Sequence, residues 1–160
     1  AERRDAWVEH LEEILMTLAH VASVDAFQSW IYTSGEGGNE AARDQAWLEI
    51  RTRFEPVVDW TGLEQQRIAR WYRQIHIFLY PFYYIEYGIA QLGALQVWRN
   101  SRHDGVNALE QYRRALALGS TTSLPEMYRA AGADLVFDAR QMAVLVRLVE
   151  DELDAVRDAG

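Results

Sequence analysis

Apolar residues return every three or four positions along almost the whole chain, and that recurrence allows little except helices. Trp7, Leu11, Ile14, Leu15, Leu18, Val21 and Ala22 keep these steps, while Glu9, Glu12 and Glu13 take the other face. The pattern predicts a helix over residues 3–33, ended by Gly-Glu-Gly-Gly (35–38), since glycine suits the left-handed backbone of a helix C-terminus. A second helix is expected over 40–54, stopped by Pro56. Thr61 followed by Glu64 has the spacing of a capping box and predicts the start of a third helix. It reads on to Trp98 with an interruption at Pro81, which lacks an N–H and clashes with the preceding turn.

A polar turn (100–105) leads to a helix ending at Leu118 and Gly119. Ser123-Leu-Pro-Glu126 is a second capping box, with proline tolerated in the first turn, and its short helix ends at Gly132. Asp138 opens a last amphipathic helix through Met142, Leu145, Leu148, Val149 and Leu153. No strand pattern holds, since Asp134–Phe137 is too short. The expectation is an all-α fold of six or seven helices. Residues 1–160 should form a single all-helical unit without repeat, linker or low-complexity segment.

Charge and composition narrow the function. A formal charge of −8, from 16 basic and 24 acidic residues, argues against nucleic acid or an anionic membrane as the main partner. Phosphate-gripping glycine motifs are absent. With no cysteine there are no disulfides, thiolate metal sites or cysteine nucleophile. The charged opening segment does not resemble a secretory signal, and no unbroken run of about 18 apolar residues predicts a membrane span. A cytoplasmic protein is the expectation.

Residues 74–88, QIHIFLYPFYYIEYG, are the candidate for chemistry. On a continuous helix His76, Tyr80, Tyr83 and Tyr87 would fall within roughly 60° of arc. Phe78, Leu79, Phe82 and Ile85 would point elsewhere and supply packing. One imidazole and three phenols on one face are donors suited to a developing oxyanion. A bend at Pro81 would let them converge. Tyrosine also edges many cores with its hydroxyl wet, and on spacing alone that structural reading is the favoured one.

Other candidates are weaker. Asp25, Gln28 and Tyr32 share a face of the first helix, where a packed or solvated role outweighs ligand binding. His10 and His20 have no surrounding carboxylate pattern of a metal site, and His103 lies in a polar turn. Glu86 suits an ion pair better than a buried acid. Small residues at 88, 90, 93 and 94 predict close helix–helix approach.

The segments HVASVDAFQSWIYT (20–33), the run from His76 through YPFYYIEYGIAQLGALQVWRN (80–100), ALALGSTTSLPEMYRAAG (115–132) and EDELDAV (150–156) resemble the C-terminal part of oligoendopeptidase F-like zinc peptidases of the thimet oligopeptidase class. The resemblance covers essentially the whole chain in the family's order. It implies the C-terminal helical part of a larger, mostly helical catalytic domain with a deep channel for short peptides. In such enzymes the two His of an H-E-x-x-H helix and a downstream Glu hold zinc, and the motif's own Glu is the general base.

By the same resemblance His76, Tyr83 and Tyr87 look like the residues that stabilise the tetrahedral intermediate, and Tyr80 and Tyr84 look like substrate-binding residues. The sequence departs from the family pattern in having no H-E-x-x-H. The resemblance therefore places zinc in the intact enzyme only. The metal-bearing part would lie upstream as a missing partner, and this chain alone would bind no metal and be inactive. The alternative is a non-catalytic helical module that binds a peptide or partner chain, or self-associates, through its aromatic surface.

Overall fold

The computed structural model describes residues 2–158, and these contain eight α-helices, one 3₁₀ turn and no strand. The helices are α1 (Glu2–Thr33), α2 (Glu40–Phe54), α3 (Glu64–Ala69), α4 (Ile75–Leu79), α5 (Ile85–His103), α6 (Gly105–Leu118), α7 (Leu124–Ala130) and α8 (Ala139–Asp158); the 3₁₀ turn, Arg70–Arg73, joins α3 to α4.

Local chemistry sets most boundaries as expected. Gly35, after α1, has φ 78°, and Asn39 caps α2 by accepting from the Ala42 N–H. Ser123 and Glu126 form the capping box of α7, and Asp138 accepts from the Gln141 N–H at the start of α8. The turn before α6 is shorter than expected: α5 runs to His103, and Asp104 itself caps α6 through the Asn107 N–H.

The third predicted helix is not continuous, which explains the larger helix count. Thr61 does not cap it: its N–H and hydroxyl both donate to Asp59 Oδ1, at 2.9 and 2.7 Å. Leu63 stands at the N-cap, and Glu64 accepts from the Gly62 N–H instead. The chain breaks again at Gln74, whose φ −86° and ψ 81° lie outside the helical region.

The described residues group into two compact units, one from residues 2–15 and 89–158, the other from 16–88. In the unit 16–88 the core is Val24, Phe27, Ala46, Trp47, Trp71 and Ile77, with Trp30, Ile31, Ile50 and Tyr84 against it. Phe27 meets Trp47 and Trp71 edge-on at 5.2 and 5.5 Å. Both indoles find acceptors, Trp47 at Arg67 O (3.0 Å) and Trp71 at Asp44 Oδ1 (3.2 Å). Gly88 admits Val21 so closely that a Cβ would sit 3.1 Å from Val21 Cγ1.

In the other unit Leu145, Val149 and Leu153 of α8 are buried, as the amphipathic pattern requires, with Leu11, Leu92, Leu95, Ala108 and Ala115. A Cβ on Gly93 would lie 2.7 Å from the Tyr128 ring, so the small residues of α5 do serve close approach. Residues 133–137 are irregular, and the Gln96 side chain pairs with the Asp134 backbone N–H and C=O at 2.9 and 2.8 Å.

Among the described helices α1 is long and apolar enough to cross a membrane when hydropathy is averaged, although it holds no unbroken apolar run. Leu11, Val21, Val24 and Phe27 of α1 are buried within the protein, and 33% of its apolar stretch lies inside it.

Candidate functional site: an imidazole ringed by tyrosines

His76 sits in α4 and is enclosed by four tyrosines that no single helix face provides. Tyr80, the C-cap of α4, leaves the helical region with φ −137° and ψ 69°, as the clash of a following proline ring with a helical residue requires. Pro81 follows, and Phe82 takes φ 62°, an uncommon left-handed backbone for a side chain of this size. Tight bonds from Tyr83 N to Tyr80 O (3.1 Å) and from Glu86 N to Tyr83 O (3.0 Å) then start α5 in a new direction. The sharp reversal folds Tyr83, Tyr84 and Tyr87 back over His76.

The Tyr83 ring stacks on the imidazole at 5.7 Å with 5° between planes. Tyr84 and Tyr87 meet it edge-on, at 5.1 and 5.7 Å, and Tyr80 lies tilted at 6.1 Å. Tyr87 Oη is 3.4 Å from His76 Nε2, a long hydrogen bond whose direction depends on the imidazole tautomer. Tyr80, Tyr83 and Tyr87 are 58, 44 and 46% exposed, so their surfaces face outward. Tyr84 is half-buried, and burial, with the neighbouring Tyr87, raises its phenol above the ordinary value. The cluster therefore offers an imidazole and phenol hydroxyls to whatever enters.

Some sequence expectations change here. Phe78, Leu79 and Phe82 do not pack a core; all three are exposed, and Ile77 and Trp71 take the core role instead. Ile77 is the residue that α4 turns into the core, so Phe78 and Leu79, one and two steps of about 100° further round, fall away from it, although one face of Phe78 stacks on Trp71 at 5.7 Å. Glu86 is exposed and makes no ion pair among the described residues. Of the Asp25, Gln28 and Tyr32 face, Gln28 is completely buried with no partner for its amide atoms, while Tyr32 is exposed against Phe82 at 5.3 Å. Burial raises the Asp25 carboxyl.

Sequence reasoning passed over a polar network behind the cluster. Arg51, 1% exposed, donates to Ser23 Oγ at 2.5 Å, lies 3.1 Å from His20 Nδ1 and pairs with Glu55. Arg70 holds the same Glu55 carboxylate at 3.2 Å. The Arg51 guanidinium also lies over Trp47 at 5.3 Å. Burial, then the Arg70 and Arg67 charges, bring Arg51 down to about 10, so it stays charged at neutral pH. The one sequence signal was the Arg51–Glu55 spacing of four residues.

Metal binding does not fit the chain's own residues: among the described residues no three His, Asp or Glu side chains converge to hold an ion.

Residues 3–143 match Peptidase family M3. The chain belongs to this family. No curated protein matches the chain. Among solved structures it is similar to PZ peptidase A with an inhibitor, at 31% identity and TM-score 0.86, over 96% of this chain and 27% of that one. It is similar to a structure assigned as oligoendopeptidase F, at 31% identity and TM-score 0.82, over 92% of this chain and 26% of that one. The chain thus spans about a quarter of the length of these family neighbours. The oligoendopeptidase resemblance and the all-α class both stand, and the tyrosine-ringed histidine lies inside the matched region.

Proposed function

We propose that this chain is the C-terminal segment of a zinc-dependent oligoendopeptidase that hydrolyses short peptides, with the zinc ligands outside the chain. His76, Tyr83 and Tyr87 are its transition-state hydrogen-bond donors, and Tyr80 and Tyr84 its substrate-binding residues. The carrying observation is the ring of four tyrosines around one imidazole, three of them exposed, in a chain of the M3 family. Neutral O–H and imidazole donors can stabilise a negative oxygen that forms on a peptide carbonyl without repelling it. The coverage of about a quarter of the neighbours supports a partner segment that carries the remaining machinery. A cytoplasmic location fits the absence of cysteine.

A second reading is favoured by the surface. Ile75, Phe78, Leu79 and Phe82 are all about half exposed, and a patch of this kind marks an interface. On that reading the chain is a non-catalytic module that binds a peptide, a partner or itself.

One assay separates the two. The chain is tested for bound zinc and for hydrolysis of a quenched peptide, alone and mixed with the H-E-x-x-H-bearing segment of a family member. The first reading expects neither activity nor zinc alone, and hydrolysis on mixing. Tight zinc binding by the chain alone, or a mixture that binds but never cleaves, removes it.

A further inference from the structure

The buried polar network meets the tyrosine cluster at one residue, His20. A guanidinium has only donors, so where Arg51 Nη1 lies 3.1 Å from His20 Nδ1 that nitrogen must accept. The ring proton of a neutral His20 is then on Nε2. Burial first, then the charges of Arg51 and Arg70, hold the imidazole below its ordinary value, while a side-chain hydrogen bond with Gln74 works the other way. The Gln74 amide N–H is directed to Arg70 O at 3.4 Å, which leaves its oxygen for the His20 proton. Gln74 is the N-cap residue of α4, two positions before His76. On its other side the His20 ring meets Tyr84 edge-on at 5.7 Å, and Tyr84 meets His76 at 5.1 Å.

We infer that His20 is a positioning residue for the cluster: Arg51 fixes its tautomer, and its ring holds Tyr84 and the start of α4, and through them His76, in place. The inference rests on the reading of His76 and Tyr84 as site residues. A histidine suits the task because it accepts from a fixed cation on one edge and keeps an N–H to donate on the other. Phenylalanine would fill the space and do neither. Gln74 needs such an anchor because it stands at a chain break without a side-chain cap.

The test is nitrogen-resolved NMR of the histidine rings in the full chain, with His20→Phe and Gln74→Ala. The expected spectrum shows His20 neutral at pH 7 with Nδ1 unprotonated. Each variant should displace the His76 and Tyr84 ring signals, while His10 and His103 remain as internal controls. Should His20→Phe fail to fold, Gln74→Ala, which leaves buried Arg51 untouched, and the wild-type tautomer decide. A proton on His20 Nδ1, or unmoved His76 signals in folded Gln74→Ala, overturns the inference. In the assembled enzyme Gln74→Ala should lower kcat by ~10-fold or more at constant KM, since small misplacements of reacting groups are costly. Gln74→Asn should recover part of the loss. An unaltered kcat also overturns the inference. If His76→Ala leaves hydrolysis intact, the functional reading fails by itself, and the ring signals still decide whether His20 positions His76.

Discussion

Tyr87 Oη stands 3.4 Å from His76 Nε2 although the two residues belong to different helices. A chain reversal at Pro81 and Phe82 makes the contact, so the pair depends on backbone that is neither helix nor flexible linker. Phe82 in the left-handed region costs about 1–2 kcal/mol. Its ring against Tyr32 offsets part of that cost.

If Tyr87 donates to the oxyanion, Tyr87→Phe in the complete enzyme should lower kcat by ~10²–10³ and leave KM nearly constant. Steady-state hydrolysis of a quenched peptide measures both. The half-exposed ring keeps its packing, so thermal unfolding should be unchanged. A kcat equal to wild type takes Tyr87 out of the chemistry.

Stability should fall as pH drops below neutrality. Between the lowered folded value of His20 and its ordinary value of 6.5, the unfolded chain binds the proton more readily. The contribution is therefore full above 6.5 and is lost as pH falls through that window. Asp25 opposes the trend at lower pH, because its raised carboxyl favours the folded state while protonated and loses that contribution as pH rises. Urea unfolding of wild type and His20→Gln from pH 7.5 to about 5 should show a shallower slope in the variant. Parallel slopes would mean that His20 does not titrate with folding.

Gly93→Ala should destabilise by about 1–3 kcal/mol, the usual range for overpacking. The added methyl would lie 2.7 Å from a Tyr128 ring carbon, and moving that ring strains its bond to Ile89 O, now 2.9 Å. Calorimetry reports the change as a lower Tm. Phe27→Ala, at the centre of the 16–88 core, should cost about 3–5 kcal/mol.

The exposed face of Ile75, Phe78, Leu79 and Phe82 should make the chain self-associate when no partner covers it. Sedimentation should show concentration-dependent association that Phe78→Ser with Leu79→Ser reduces. A wild-type chain that stays monomeric at high concentration argues that this face is not an interface.

The sequence by itself determined the helical class, because a three-to-four residue apolar period can bury a face only as a helix. It also determined α2, α7 and α8, whose ends carry their own signals in Pro56, Ser123 with Glu126, and Asp138. It picked out His76 and the tyrosines, but it placed them on one face of one helix. Only the tertiary structure decided that they meet across a reversal. Proline announces that a helix is interrupted, not the direction of the chain beyond it, and that direction rests on a positive φ at Phe82. Thr61 failed as a cap for a related reason: Asp59, two residues away, competed for the same hydroxyl. The Arg51–His20 network was invisible for a third reason. Burial gives those side chains their meaning, and burial arises from the packing of α1 against α2, which no local spacing records.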